Sequence, residues 1–224
     1  MSRLKCIKSM VDKCKTAADI GTDHGYVAEK LLAEGICEKV IATDLNEGPL
    51  NRAKEYLTKV NLKDKCDFRL GSGLAVLKEG EADAIIIAGM GGDLISDIIE
   101  SSKNVAMSAE QLILQPMTAV DKLRRYLFEN GFEIIDENIV REYHHFYFII
   151  KAKKGISKTD DDIYYEISRI LLNKKEPVMM DYICKVLNTN KKIISSLEKA
   201  DNEEYNVKIE RLKEKNKKIR ELIK

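Results

Sequence analysis

Five short apolar runs, each cut off by a turn and followed by helical periodicity, constrain this chain more than any other feature. Strand-like segments lie at Ala17–Gly21, Val40–Thr43, Cys66–Leu70, Ala84–Ala88 and Leu112–Gln115. Helical patterns follow at Val27–Ala33, Glu47–Val60, Leu74–Lys78, Gly92–Ser101 and Val120–Glu129. Strands interleaved with helices at this spacing run parallel through crossover connections, which predicts a doubly wound α/β sheet. Local signals agree. Asn46 stands at an N-cap position, Pro49 falls in a first turn where no N–H is needed, and Gly131 stops the helix ending "LRRYLFEN".

The two ends depart from this alternation. Met1–Cys14 carries Leu4, Ile7, Met10, Val11 and Cys14 at helical spacing and reads as an amphipathic lead-in helix. "FEIIDENIVREYHHFYFIIKAKK" holds two β-rich runs with no room for a helix between them, so an antiparallel hairpin closes the sheet edge. Beyond Lys154 the strand signal vanishes. "TDDDIYYEISRILLNKK" reads as a helix opened by Thr159 and three aspartates, which suit a positive helix N-terminus. Pro177 starts another helix, and Asn202 marks a break before a last one. Ile193, Leu197 and Ala200, then Tyr205, Ile209, Leu212, Ile219 and Ile223, recur at three- and four-residue steps, predicting an antiparallel coiled-coil pair. The division expected is a sheet domain at 1–155 and a helical domain at 156–224.

Charge follows the same division. Residues 1–150 hold 19 Lys and Arg against 24 Asp and Glu, a balance of −5, whereas residues 151–224 hold 19 against 13, a balance of +6. The two parts are therefore expected to do different jobs. Five scattered cysteines, odd in number, read as reduced thiols. With no secretory leader and no apolar run of membrane-spanning length, a cytoplasmic protein without a membrane partner is expected. "YHH" at Tyr143–His145 lacks cysteine or carboxylate partners at ligand spacing, so no metal is expected.

In open α/β sheets ligands bind beyond the carboxyl ends of the strands, where strand order reverses, so the residues after each strand carry the chemistry. After the first comes "DIGTDHGY": Gly21 permits a sharp turn, and Asp19 suits a ligand's ammonium. After the second, "TDLN" places Asp44 23 positions beyond Gly21, right for a carboxylate accepting from ribose hydroxyls. "GSGLAVL" and "GMGGDLI" follow the third and fourth, and their glycines let backbone approach a ligand closely. The first loop lacks the later glycines of G-x-G-x-x-G, and no G-K-[ST] follows, so a pyrophosphate or triphosphate fits poorly. A ligand with a ribose, an adenine and a charged amino-acid end but no phosphate remains. S-adenosylmethionine fits that description.

Together "ADIGTDHGYVAEKLL", "ATDLNEGPLNRAKEYL", "GSGLAVLKEGEADAIIIAGMGG", "LILQPM" and "VREYHHFYFIIKAKK" resemble the bacterial tRNA adenine-22 N1-methyltransferase family over roughly residues 1–155, and more loosely through the helical tail. The resemblance implies a Rossmann-like class I methyltransferase sheet, S-adenosylmethionine as donor and N1 of an adenine in the tRNA D-arm region as acceptor. It places Asp19, Gly21, Asp23, His24, Gly25 and Tyr26 in the first cofactor loop. Asp44, Leu45 and Asn46 fall at the ribose, and Gly71, Ser72 and Gly73 at the adenine. Gly89, Met90, Gly91 and Gly92 would lie between donor and target base. Ser72 departs from the pattern, since an acidic residue is expected there to accept from the adenine amino group.

Adenine N1 carries an in-plane lone pair and the sulfonium methyl is already activated, so positioning at roughly 3–3.5 Å should dominate catalysis. Alkylation leaves a cationic base, for which Asp23 is the first candidate as electrostatic partner or proton acceptor; the same residue at this place also reads as a loop cap. N1 lies on the Watson–Crick edge, so the base must leave any pairing first. Tyr26, Met90, Gly92, Gln115 and Met117 are the expected lining of its pocket. "RLKEKNKKIR" brings Lys213, Lys215, Lys217 and Lys218 together, either to follow tRNA phosphates or as the solvated face of a coiled coil. A monomer or weak dimer is expected. Two other readings share these motifs: a methyltransferase of a small molecule or protein whose tail dimerises, and a non-catalytic RNA-binding protein.

Overall fold

The computed structural model describes residues 2–156, 158–200 and 202–223. Met1 and Lys224, the outer limits expected for the two parts, fall outside them. The chain forms two compact units, Met1–Lys158 and Thr159–Lys224.

In the first unit the order is α1 (Arg3–Ser9), β1 (Cys14–Ile20), α2 (Tyr26–Ala33), β2 (Cys37–Asp44), α3 (Glu47–Lys59), β3 (Cys66–Leu70), β4 (Ala84–Met90), α4 (Gly92–Ser101), α5 (Lys103–Ser108), β5 (Gln111–Pro116), α6 (Val120–Glu129), β6 (Phe132–Glu142) and β7 (His145–Lys154). One seven-stranded sheet results, in the order β3-β2-β1-β4-β5-β7-β6. The first five strands are parallel, and β7 pairs antiparallel with both β5 and β6. The expected hairpin is therefore present, with its second strand inserted next to β5.

Alternation along the strands builds two cores. Ala18, Ile20, Ile85, Ile87, Leu112 and Leu114 point to the side of α4 and α6, against Ile95, Ile99, Leu123 and Leu127. Their neighbours Ala17, Val40, Ala42, Ala84, Ile86 and Ile113 point to the other side, against Ile7, Leu31 and Leu57 of α1, α2 and α3. Helices on both faces explain why β4 reads as an unbroken apolar run instead of an alternating one. Each fully buried isoleucine contributes about 1.5–3 kcal/mol, so these two layers hold the strand ends in a fixed frame.

Several expectations shift. The lead-in helix is short, because Cys14 already pairs with Cys37 as the first residue of β1. Leu74–Lys78 is a single 3-10 turn, Gly73–Val76, and α5 was missed altogether. Asn46 makes no side-chain cap; its N–H instead donates to Asp44 Oδ1 at 2.9 Å.

The second unit contains α7 (Ile163–Glu166), α8 (Arg169–Asn173), α9 (Pro177–Lys199) and α10 (Asn206–Leu222). The single helix expected from Thr159 is two short ones. Ile167 is extended and Ser168 caps α8, its hydroxyl accepting from Leu171 N–H at 3.1 Å. Asn190 faces Asn216 and Glu198 faces Lys213, so α9 and α10 run antiparallel. Along α10 and its two cap residues, Tyr205, Ile209, Leu212, Asn216, Ile219 and Ile223 are buried or half-buried, the expected spacing completed by an asparagine, with Lys215 and Leu222 half-buried beside them. On α9 the expectation holds at Leu197 alone: Ile193 and Ala200 are exposed, while Val186, Leu187, Asn190 and Ile194 turn inward with Leu197. The Asn190–Asn216 hydrogen bond, 2.8 Å and buried, satisfies two amides that would otherwise oppose this seam, and fixes its register.

Candidate active site

Strand order reverses between β1 and β4, whose neighbours are β2 on one side and β5 on the other. The loop after β1 is pinned there by its neighbour. Thr43 carbonyl accepts both Gly21 N–H (2.8 Å) and Thr22 N–H (2.9 Å). Gly25 N–H then closes a turn onto Thr22 carbonyl at 2.9 Å, and α2 begins at Tyr26. Within this turn Asp23 adopts φ 46°, a conformation that short polar side chains tolerate better than most. Its carboxylate is half exposed and both oxygens are engaged: Arg52 Nη2 donates to Oδ1 at 2.6 Å, and His24 Nδ1 lies 2.8 Å from Oδ2. The hydrogen bond from Arg52, a cation on α3, holds Asp23 below the usual carboxylate range. His24 stacks parallel on Tyr26, centroids 5.3 Å apart, and Tyr26 meets Tyr56 edge-on.

A cleft of about 530 Å³ opens at this point. Asp19, Gly21, Asp23, His24 and Tyr26 line one side of it; Gly89, Gln115 and Met117 line the other. On that second side β4 bulges between Ala88 and Met90. Gly89 takes φ 79° in the bulge, and an added Cβ would meet nothing within 4 Å, so the glycine leaves open space beside the backbone. Such bulges re-aim chain at the rim of a site. Gln115 is fully buried and fixed at both ends of its amide: Oε1 accepts Gly89 N–H at 3.1 Å and Nε2 donates to Pro116 carbonyl at 2.8 Å. Met90 reaches across to Gly21, where its methyl occupies the space a side chain would need.

Some expected residues lie elsewhere. Gly92 is buried, and a Cβ there would stand 2.3 Å from the Ala119 carbonyl oxygen. It is needed for the close approach of α4 to the segment before α6, and does not line the cleft; Gly91 beside it is the N-cap residue of α4. Asp44 ends β2 with Leu45 and Asn46 after it, and Gly71, Ser72 and Gly73 follow β3, all at the same carboxyl edge but outside the cleft lining. Leu45 is 65% exposed and Leu70 50% exposed. Two large apolar side chains left in water at neighbouring strand ends make a surface for a flat ring.

Asp19 carries the electrostatics. It is 3% exposed, accepts from the Thr22 hydroxyl at 2.7 Å and from Ala28 N–H, and has no cationic partner among the described residues. Burial pushes its carboxyl up to about 6, and the nearby Asp44 carboxylate adds to the shift. A buried carboxylate beside an open cleft, with a second carboxylate in its field, fits a ligand that brings a positive charge. S-adenosylmethionine carries groups of matching chemistry: an ammonium that suits a buried carboxylate such as Asp19, ribose hydroxyls that suit a carboxylate such as Asp44, and an adenine ring that suits exposed apolar side chains such as Leu45 and Leu70. No group of three potential metal ligands occurs among the described residues.

The sequence reading missed Thr22, Arg52, Leu70 and Arg3. Thr22 stood inside the quoted loop, and its buried hydroxyl was readable there. Arg52 and Arg3 reach the site from helices far off in sequence, which no local pattern signals.

The lysine cluster of α10 is largely ion-paired within its own unit. Lys213 pairs with Glu198 and Glu210, Lys215 with Glu166, and Lys218 with Asp161 at 3.0 Å. Only Lys217 of the four makes no ion pair among the described residues, so most of this charge is already matched within the second unit.

Residues 1–150 match the family model described as a methyltransferase domain. A curated Bacillus subtilis protein named tRNA (adenine(22)-N(1))-methyltransferase is 31% identical, the match covering 99% of this chain and 95% of that protein. The crystal structure of the B. subtilis m1A22 tRNA methyltransferase TrmK superposes with a TM-score of 0.87 at 30% identity, covering 100% of this chain and 98% of that one. M. capricolum TrmK, solved in complex with S-adenosyl-homocysteine, gives a TM-score of 0.82 at 25% identity, with 100% and 97% covered. With this site on this sheet, and similarity running through both units, the chain belongs to the tRNA (adenine(22)-N(1))-methyltransferase family.

Proposed function

We propose that the chain methylates N1 of adenine 22 in tRNA, with S-adenosylmethionine as methyl donor. The observation that carries this reading is Asp19: a buried carboxylate without a cationic partner among the described residues, lining a cleft at the switch point of the sheet. Bound in the cleft, the donor supplies an activated sulfonium methyl group. The residues of the chain bind and orient. Asp19 holds the ammonium, Asp44 offers Oδ2 to the ribose while Oδ1 stays on Asn46 N–H, and Leu45 and Leu70 flank the adenine. Ser72, exposed at the end of β3, accepts from the adenine amino group in place of a carboxylate.

On the acceptor side Gln115 is too firmly held by Gly89 and Pro116 to move with substrate, and makes a rigid floor. Tyr26 and Met117, both partly exposed, form the walls against which an unstacked adenine packs. Met90, packed on Gly21, separates the two ligands. Asp23 is a poor base, because Arg52 lowers its pKa, yet its charge faces the cleft and opposes the positive charge left on the methylated ring. His24, oriented by Asp23, presents its other ring nitrogen to the same space.

The reading carries with it a cytoplasmic enzyme, acting as a monomer or weak dimer. Incubation with labelled donor and a total tRNA pool, followed by mass identification of the nucleoside, tests it. 1-Methyladenosine at position 22 is the expected product. Label on protein or on a small molecule, or binding of tRNA with no transfer, would replace it with one of the two other readings.

A further inference from the structure

We infer that Arg3 is a phosphate clamp for the RNA strand that carries the target adenine. The inference rests on the proposed tRNA methylation and adds to it a residue that neither the sequence motifs nor the family resemblance singles out.

Arg3 opens α1 and lines the cleft. Its backbone N–H donates to Glu142 Oε1 at 2.5 Å, which ties the start of α1 to the end of β6. The guanidinium is placed separately. Nη1 donates to the Met117 sulfur at 3.0 Å, and the group lies over the Tyr147 ring, 5.2 Å from its centroid. A thioether is a weak acceptor and a ring face offers no lone pair in line with an N–H. Among the described residues no carboxylate pairs with this guanidinium. The arginine is thus aimed by soft contacts, with most of its five donors left for an incoming oxyanion.

Position selects which oxyanion. Met117 follows β5, Tyr147 is on β7 and Glu142 on β6. These strands lie on the far side of β4 from β2, whose end carries the ribose carboxylate Asp44. A donor extending from Asp44 to Asp19 occupies the β2–β1 side, and Arg3 stands over the β5–β7 side, where the acceptor strand enters. The need for such a cation is plain: residues 1–150 carry a net charge of −5, and a polyanion approaching the cleft meets Asp19 and Asp23 there. A planar fork beside Tyr26 and Met117 can hold the phosphodiester next to an unstacked base while those walls hold the base itself.

The test compares the parent chain with Arg3→Gln and Arg3→Lys, using an unmodified tRNA transcript and, separately, S-adenosyl-homocysteine. Both substitutions leave the backbone bond to Glu142 in place. Arg3→Gln is expected to weaken tRNA binding roughly ten- to a hundredfold at low salt and to lower the slope of log affinity against log salt by roughly 0.7–0.9, one phosphate contact. Arg3→Lys should restore the slope but not all of the affinity, and S-adenosyl-homocysteine should bind all three alike. An unchanged salt slope in Arg3→Gln overturns the clamp. Weakened S-adenosyl-homocysteine binding with an unchanged tRNA slope also overturns it, and assigns Arg3 to the donor carboxylate. Binding is read without turnover, so a parent chain that methylates no tRNA nucleoside would sink the functional reading while the slope still decided the role of Arg3.

Discussion

Replacing Asp19 by asparagine separates what this carboxylate does for a ligand from what it costs the fold. Burial raises the carboxyl from 3.8 to about 6 in the folded chain. An acid with a higher pKa folded than unfolded is destabilising once ionised: the cost begins as pH rises past 3.8 and is complete above about 6. At 1.36 kcal/mol per pH unit the difference amounts to about 3 kcal/mol at neutral pH. Asp19→Asn removes that cost and keeps the shape, and the Thr22 hydroxyl can turn to accept from the new amide. Thermal unfolding at neutral pH should therefore shift upward, by roughly 2–4 °C per kcal/mol for a chain of this size. Donor affinity should move the other way, since a lost charge-assisted bond costs about 1.5–3 kcal/mol, or roughly ten- to 150-fold. Calorimetric titration with S-adenosylmethionine and a melting scan, both at neutral pH, read the two effects. A third reading comes from pH. If only ionised Asp19 accepts the ammonium, affinity of the parent should fall about tenfold one pH unit below its folded pKa, as the competent fraction falls. The asparagine variant should be flat over that interval. A variant that binds donor like the parent, or that loses stability together with affinity, would refute the assignment of Asp19 to a ligand's positive charge.

Four further outcomes follow from the same geometry. Asp44→Ala strips the ribose of its acceptor and frees Asn46 N–H, so donor binding measured by calorimetry should weaken by about 1.5–3 kcal/mol. Asp23→Asn keeps the loop but removes the charge opposing the cationic product; single-turnover methylation at saturating donor should slow at least tenfold, about 1.4 kcal/mol of barrier, and an unchanged rate would leave Asp23 as the partner of Arg52 only. Lys217→Gln should lower the salt slope of tRNA affinity more than Lys213→Gln or Lys218→Gln, because the latter two are already paired with carboxylates; equal slopes in all three variants and the parent would mean that the helical unit offers no phosphate contacts here. Glu137→Ala removes the carboxylate 2.7 Å from buried Arg124, and urea unfolding should show a loss of about 3–5 kcal/mol, the scale for breaking a buried ion pair.

How much of this was legible depends on whether a signal is local. Strand ends and the turns that follow them are local: the segment from Asp19 to Tyr26, the aspartate closing β2 and the glycines at the end of β4 are each short stretches of sequence, and their shared edge follows from parallel topology alone. The hairpin was legible because two β-rich runs left no room for a helix. Its insertion next to β5 was not, since that order depends on which strand the hairpin meets across space. On α9 the periodicity was read from Ile193, yet the seam runs through Asn190 and Ile194; the larger apolar side chain took precedence over an asparagine that finds its partner 26 positions away.

Charge is the least legible quantity of all, because a count of lysines records no partners. The cluster at Lys213–Lys218 suggested a basic face for phosphates, whereas Glu198, Glu210, Glu166 and Asp161 already meet three of its four lysines. Exposed pairs of this kind are worth about 0–1 kcal/mol, so a phosphate can displace them, but it gains less than it would from an unpaired cation. Arg3 reverses the case: one of six arginines in an acidic unit, invisible in the net charge, whose guanidinium meets a sulfur and a ring and no carboxylate among the described residues. For a polyanion the second arrangement is the stronger attraction per contact, because no existing ion pair is broken to make it. Asp23 shows the same logic with opposite sign, since the Arg52 bond that fixes its place also lowers its basicity. In the proposed reaction its contribution to transfer would be one of fixed charge rather than proton uptake, and the expected rate of methylation between neutral pH and mild acid follows the ionisation of Asp19, not of Asp23.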